Sequence, residues 1–526
     1  MTERNPSRSF RWYFLLAALA SVAVLYLLVY SDMPIYGDAW GYGYNCARWI
    51  SDNGLPLVPS GTGRGETAMG HGAFYFWMWA VTMKVFGNTV SIAHLLPAVF
   101  TFITLAGMGK LADDLGGREL SVLSTIALLA SPLFLAQTFR PLPIAAGMAG
   151  SVWGLYFFRG GRYLQASAAM VFAVMMRQQA MVVPFSCILA SFLIMGRKTP
   201  RGIFLLLFPF LVPVIIVLSN YLVNGFLFVS GNDPGINQPF SLGLFLHRLK
   251  FFGFLLTGHY RWLPVAFGLG FLYRRRAGTA AGVAIGVLLA VLGALERFQN
   301  YFTIVLILAL LCLGFLERKK LEPLHVALAL IPFLMILSFS MIVFAAASVM
   351  QFNFFRYLLA AYPALVAGMM WMLHGNGWKG RAVAGAFLLL TAWGNTGIRY
   401  EATYTDTTLA GYSAPLLVMR DAGSWAAAKD VPTVALNAVT GHFDDPALGY
   451  TERPLEVIMP GELLRTEAPG LYAVVIPPLL PWGDDVSRSL EELLDSIRTE
   501  YSLHTDTVIS RGPFSARCIL LRIGTE

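Results

Sequence analysis

Apolar runs, broken at short intervals by glycine, proline and clusters of Lys or Arg, fill the chain from Trp12 to about residue 398. The first, Trp12 to Tyr30, is close to the roughly 20 residues a spanning helix needs. It lacks the small-residue cleavage site of a signal peptide, so an uncleaved anchor is expected. Further predicted spans are 90–111, 119–138, 142–158, 163–176, 180–196, 202–223, 261–273, 278–295, 299–316, 324–348, 356–374 and 382–398. Between the anchor and the second span, apolar and aromatic residues recur at helical spacing at Trp40, Tyr44, Ala47 and Ile50. With the Trp- and Tyr-rich stretch 71–87, they predict helices lying in the membrane interface. From residue 399 the pattern changes. Short strand-like runs at 432–438, 471–477 and 516–523 alternate with helical patterns at 413–428 and 486–499. That predicts a small α/β domain.

The basic residues orient these spans. Arg4, Arg8 and Arg11 precede the anchor, which keeps the N-terminus cytoplasmic by the positive-inside rule. The loops then alternate. Lys110 and Arg118, Arg159 and Arg162, 196–201, 273–278, 317–320, and Lys379 with Arg381 all fall on one side. The fold class expected is therefore an all-α polytopic membrane protein with about 13 spans, interfacial helices in the outer loop 31–89, and a C-terminal extracytoplasmic α/β domain. The membrane part covers 1–398 and the outer domain 399–526. Its place is the cytoplasmic (inner) membrane.

Composition agrees. Hydrophobic residues make up 56% and charged residues 13%, about half the charged share of soluble domains. The net charge of +8 reflects loop bias in a membrane protein rather than nucleic-acid binding. Four cysteines are too few for a disulfide framework. Cys46 and Cys518 share the outer compartment, but their spacing does not say that they pair. The chain holds no Walker motif, no GxGxxG after a strand, and no zinc spacing.

Candidate chemistry gathers on the outer side. Asp38 heads the aromatic helix that follows the anchor. It is either an N-cap or a general base at the membrane surface. Arg140, Arg177, Arg297 and Arg356 stand at the outer ends of apolar spans, where the positive-inside rule makes Arg scarce. The planar guanidinium fork suits phosphate oxygens, so converging arginines would hold a lipid-linked phosphate. Alternatively each snorkels to the headgroups or pairs locally, as Arg297 could with Glu296. His71 is a further phosphate or acid/base partner, or a helix-end polar residue. Glu66 is an acceptor-site acid, a metal ligand, or a solvated loop residue. A hard cation such as Mg or Mn on Asp38 and Glu66 stays an open alternative; no other cofactor is implied.

The order of segments resembles the GT-C superfamily of polyprenol-dependent membrane glycosyltransferases, in the branch with aminoarabinose transferase and the protein O-mannosyltransferases. The resemblance rests on "YGDAWGYGYNCARWISDNGLPLVP", "HGAFYFWMWAVTMKVFG", "MMRQQAMVVP" (like the family's "TKQ" turn) and "FRYLLAAYPAL" (like its "RYLLPALPAL"). It spans about residues 10–200 and, locally, 350–365. It implies a GT-C fold, with Asp38 as the catalytic outer-loop carboxylate. It also implies His71 and Arg177 as contacts to the lipid phosphate, and Arg356 near the donor pocket. Two positions depart from the pattern. Ala39 follows Asp38 where the family often has a second acid, and Ile144 replaces the acid of "LPD". A metal-bridged or two-acid mechanism is therefore not implied.

The expected activity is transfer of a sugar from a polyprenyl-phosphate donor to a lipid, protein or glycan acceptor at the outer face, with inversion implied by the resemblance. The partners are then the lipid-linked sugar, the acceptor and the bilayer, with no nucleic acid. Two rivals remain: a flippase or transporter for the lipid-linked sugar, and a non-catalytic lipid-binding protein. Transporters often show repeated halves, and none is visible here.

Overall fold

The computed structural model describes residues 8–37, 39–54, 74–196, 200–224, 243, 256–317, 321–341, 359–395, 409–435, 442–458, 470–476, 502–512 and 514–523. Asp38, Glu66, His71, Arg356 and the helical pattern at 486–499 lie outside the described residues.

A helical bundle forms the body. The Arg8–Leu25 helix runs into a π-helical turn at Tyr26–Tyr30. Its span is only 11% buried, so it lies on the outside of the bundle. The Val90–Gly116 helix is the central element, with 56% of its span buried. Thr89 caps its start by accepting from the Ile92 N–H, and Gly117 ends it at φ +84°. Inside it, the Thr101 and Thr104 hydroxyls donate back to the Pro97 and Phe100 carbonyls, which keeps polar groups satisfied in an apolar surround. The Ile144–Arg159, Arg118–Leu129 and Tyr362–Leu373 helices pack against it.

Among the described residues four helices are long and apolar enough to cross a membrane, or five if one bent pair counts as a span. Thirteen were expected. Helices at Tyr163–Met176, Thr279–Ala294, Tyr301–Gly314, Pro323–Ser338 and Leu359–Leu373 coincide with expected spans but are too short to count among those four. Fourteen residues of helix cover about 21 Å, less than the roughly 30 Å hydrocarbon layer.

Two expected spans have a different internal form. The span 119–138 is broken into Arg118–Leu129 and Pro132–Thr138, bent by 68°. Ser131 adopts extended backbone and caps the second piece, and Pro132 cannot donate to a continuing helix. The span 202–223 begins as a 3-10 helix at Arg201–Phe210 and becomes α-helical at Leu211–Asn224. Pro209 interrupts the ladder between them.

The basic loops do gather at one end. Arg381 Nε and Nη2 donate to the Glu119 carboxylate at 2.7 and 2.9 Å. Arg275 Nη2 donates to the Gly375 carbonyl at 2.5 Å, and Arg159 Nε lies 3.4 Å from Glu322. Each pair joins loops that alternation had assigned to the same side.

The C-terminal unit caps the opposite end. The Leu409–Lys429 helix packs on a five-stranded sheet. Its strands are β1 (Thr433–Ala435), β2 (Val457–Ile458), β3 (Gly470–Ile476), β4 (Ser502–Arg511) and β5 (Phe514–Ile523), in the order β2-β1-β3-β5-β4. β1 runs parallel to both of its neighbours, and β5 antiparallel to β3 and β4. Gly512, at φ +60°, turns the β4–β5 hairpin. β4 has no counterpart in the expected strands, because its residues are mainly polar and exposed on the sheet edge. Cys46 and Cys518 are both buried and are not joined to each other by a disulfide.

Candidate functional site at the sheet-bearing end

The site begins where the first helix ends. Tyr30 is fully buried and its hydroxyl donates to the Leu135 carbonyl. Its ring stacks on Phe139, with centroids 4.4 Å apart. His94, buried in the central helix, sits between two carbonyls. Nδ1 is 2.6 Å from Phe139 O and Nε2 is 2.9 Å from Met33 O. One side chain thus ties the segment just before Asp38 to the segment just before Arg140. In the sequence His94 is one polar residue in an apolar run, with no motif to single it out.

Arg140 follows on the 139–143 turn and is 2% exposed. Its Nη1 donates to Gln137 Oε1 at 3.1 Å, and its guanidinium lies 4.8 Å over the Tyr412 ring. Gly37 stands directly against it. A Cβ added at Gly37 would lie 3.9 Å from Arg140 Nη2, and Gly37 itself has φ +61°. A buried guanidinium is costly unless its hydrogen bonds and charge are met. Here it abuts the residue that precedes Asp38.

Arg177 is also buried, 5% exposed. It takes an extended conformation between the Tyr163–Met176 helix and the 3-10 turn Gln178–Met181. Its Cβ comes within 3.3 Å of a Cβ built on Gly147. Arg140 and Arg177 therefore flank the same end of the Ile144–Arg159 helix. Arg297 is different: it is exposed, on the short turn Glu296–Phe298. No described contact joins it to the other arginines.

Arg261 is a further buried arginine, one that the sequence pattern does not single out. It is 1% exposed and donates from Nη1 to the Tyr362 hydroxyl at 3.0 Å. That hydroxyl is 2.5 Å from Ser131 Oγ, at the break in the bent span. His259 and Tyr260 just before it both have positive φ, 51° and 62°. Side chains rarely adopt that conformation, at a cost of about 1–2 kcal/mol each. A signal is present, since Arg261 stands at the end of an apolar run, opposite the Arg274–Arg276 cluster. Its place inside the apolar run 261–273 hides it among span residues.

After Asp38 the chain forms a π-helix, Ala39–Tyr44, and then an α-helix, Asn45–Asn53. Tyr44, Ala47 and Ile50 are buried and Trp40 half-buried, as the spacing required. The Phe74–Phe86 helix packs beside them and buries Tyr75, Phe76, Trp79, Ala80 and Met83. The C-terminal unit closes over this loop. His442 is buried among Tyr36, Trp40 and Tyr450, with ring centroids 5.6, 4.3 and 5.2 Å away. Tyr44 donates to Asp445 Oδ2 at 2.7 Å and accepts from Asn88 Nδ2 at 2.8 Å. Burial pushes the Tyr44 hydroxyl up to about 12, so it stays a donor at physiological pH.

Among the described residues no group of three or more His, Cys, Asp or Glu could hold a metal ion. Both residues proposed for a cation, Asp38 and Glu66, lie outside them. The arrangement can therefore do two things. Its buried guanidinium groups can receive an anion, and its first loop sets Gly37 against one of them.

No protein-family model matches the sequence, and no curated protein matches it. Solved structures of similar shape include ArnT from Cupriavidus metallidurans bound to undecaprenyl phosphate. That chain is 14% identical, with a TM-score of 0.46 over 98% of this chain and 99% of that one. The same protein in the apo state is 15% identical, with a TM-score of 0.42 over 99% and 100%. An Archaeoglobus fulgidus oligosaccharyltransferase in complex with Zn and sulfate is 13% identical, with a TM-score of 0.41 over 83% of this chain and 61% of that one. Each TM-score is below 0.5, a likeness too loose to assign a site.

Proposed function

We propose that this chain is an integral-membrane glycosyltransferase that moves a sugar from a polyprenyl-phosphate donor to an acceptor at the outer face of the membrane. One observation supports the reading: the buried Arg140 guanidinium, a group suited to phosphate, lies against Gly37, the residue before Asp38 in sequence. The GT-C resemblance of the sequence supports it.

The chemistry follows from those groups. An acceptor O–H or N–H attacks the anomeric carbon while the bond from that carbon to the phosphate oxygen breaks. Asp38 takes the acceptor's proton, and the electron pair of the breaking bond leaves with the polyprenyl phosphate. The leaving phosphate is already weakly basic, so it needs cations rather than an acid. Arg140 and Arg177 supply the charge, with Arg261 beside the Tyr362 hydroxyl as a third candidate. His71, Arg356 and Arg297 keep the phosphate roles read from sequence. Glu66 keeps its role as an acceptor-side acid.

The test is transfer in membranes holding wild type or Asp38→Asn, with a radiolabelled polyprenyl-phosphate sugar and label followed into lipid, protein and polysaccharide. Asn is close in size and can still cap a helix. Wild type should label one fraction, and Asp38→Asn should slow it by about 100- to 10,000-fold at equal protein level. Equal transfer by both would remove Asp38 from the chemistry. No transfer by either, from any donor pool, would favour a flippase or a lipid-binding protein.

A further inference from the structure

One short stretch of the C-terminal unit holds the Asp38 loop from both sides. Just before Asp38, the Ile35 N–H donates to the Leu448 carbonyl at 2.9 Å. Beyond it, the Tyr44 hydroxyl donates to Asp445 Oδ2 at 2.7 Å, and Arg48 Nη1 donates to the same oxygen at 2.9 Å. The other oxygen, Oδ1, accepts from the Ala447 N–H at 3.0 Å and so caps the turn Pro446–Leu448. That cap fixes the carboxylate within its own segment before it reaches across to the loop.

The packing around this stretch is close. Gly449, at φ +83°, lies so near the loop that an added Cβ would sit 2.5 Å from Val90 Cγ2 and 3.4 Å from Pro34 Cα. His442 packs against both Tyr36 and Trp40, which bracket residues 37–39 in sequence. The two polar links differ in weight. Arg48 is 56% exposed on its side chain and its ion pair is screened by water. Tyr44 is 2% exposed, so its hydrogen bond to a carboxylate is the stronger restraint. Tyr44 ends the π-helix Ala39–Tyr44, so anchoring its hydroxyl restrains the described stretch that begins at Ala39.

We propose that Asp445 is a positioning residue for sugar transfer: through Tyr44 it holds the first outer loop in place, so the C-terminal unit completes the loop that carries the candidate base. The proposal rests on the transfer reading above. It gives the C-terminal unit a task that its sequence does not reveal.

The experiment uses the purified full-length protein as wild type, Tyr44→Phe, Asp445→Ala, Asp445→Asn and the double variant Tyr44→Phe/Asp445→Ala. Amide hydrogen exchange is followed across 35–50, with the Val90–Gly116 helix as an internal reference for intact folding. Exchange across 35–50 should quicken about tenfold in Tyr44→Phe and Asp445→Ala while the reference stays protected. Asp445→Asn, which still offers an oxygen to Tyr44, should stay near wild type. In the transfer assay kcat should fall about 10- to 100-fold in Tyr44→Phe and Asp445→Ala, with the donor KM within about twofold. The double variant should lose no more than the worse single one, because both break one link.

Unchanged exchange in the two single variants overturns the proposal. So does a rise in donor KM at constant kcat, or independent losses that multiply in the double variant. Wild type that transfers no sugar overturns the transfer reading, and with it the catalytic half of this proposal. The exchange measurement still decides whether Asp445 holds the loop.

Discussion

Removing one oxygen, in Tyr362→Phe, tests the buried network at the break in the bent span. The Tyr362 hydroxyl stands between Arg261 Nη1 at 3.0 Å and Ser131 Oγ at 2.5 Å. The ring is 2% exposed, and the guanidinium carbon of Arg261 lies 5.5 Å from its centroid. Phenylalanine keeps the ring and most of that cation–π contact; only the two hydrogen bonds go. A hydrogen bond to a charged group contributes about 1.5–3 kcal/mol in soluble proteins. Inside membrane bundles measured values average about 0.6 and reach about 1.7 kcal/mol. With one charged and one neutral bond lost, Tyr362→Phe should cost about 1–3 kcal/mol. The assay is reversible unfolding in mixed detergent micelles, with Ser131→Ala and the double variant alongside. Ser131→Ala should cost about 1 kcal/mol, and the double variant less than the sum by about 0.5–1.5 kcal/mol. A Tyr362→Phe protein within about 0.3 kcal/mol of wild type would refute the network, as would simple additivity.

Helix packing and thiol burial give two further tests. A Cβ at Gly282 would lie 2.5 Å from the Gly270 carbonyl oxygen and 2.6 Å from Arg274 Cβ. Gly282→Val should therefore force apart the helices on either side of Gly278 and cost about 1–3 kcal/mol or more. Gly314→Ala, with nothing within 4 Å of its new carbon, should stay near neutral in the same unfolding assay. Burial, and then the charge of Asp506, push the Cys518 thiol from its ordinary 9.0 up to about 12. Maleimide at pH 8 should leave Cys518 unlabelled by peptide mapping until the protein is unfolded. The sign of the linkage is fixed by that raised value. The folded state holds the thiol proton more tightly, so this group's stabilisation is complete below pH 9 and is lost as pH climbs toward 12. Labelling of the folded protein at pH 8 at the rate of the unfolded chain would contradict the burial.

What the sequence determined by itself were properties carried by each segment alone. Apolar length marked the anchor, the central helix and the shorter helices, because lipid selects segments one by one on hydrophobicity. Loop charge placed Arg159, Arg275 and Arg381 at one end, and the ion pairs and hydrogen bonds of those loops lie there together. The period of Tyr44, Ala47 and Ile50 gave their buried face. Strand β3 and the helix Leu409–Lys429 were legible from their runs. β4 was not, because a polar edge strand takes its hydrogen bonds from β5 and not from its own pattern.

The site depended on contacts between distant parts of the chain. Arg140 was visible as an outward arginine. Its seat against Gly37 and Tyr412 was not, because side chains far apart in sequence meet there only after the helices have packed. Arg261 was hidden inside an apolar count, and only its bond to Tyr362 at the broken span separates it from a span-end residue. His94 became a link because two carbonyls from different loops converge on one ring. Asp445 carries no sequence signal at all, since one carboxylate in a polar loop resembles any other. Its meaning comes from the fold, which brings that oxygen to Tyr44 and closes the C-terminal unit over the loop of Asp38.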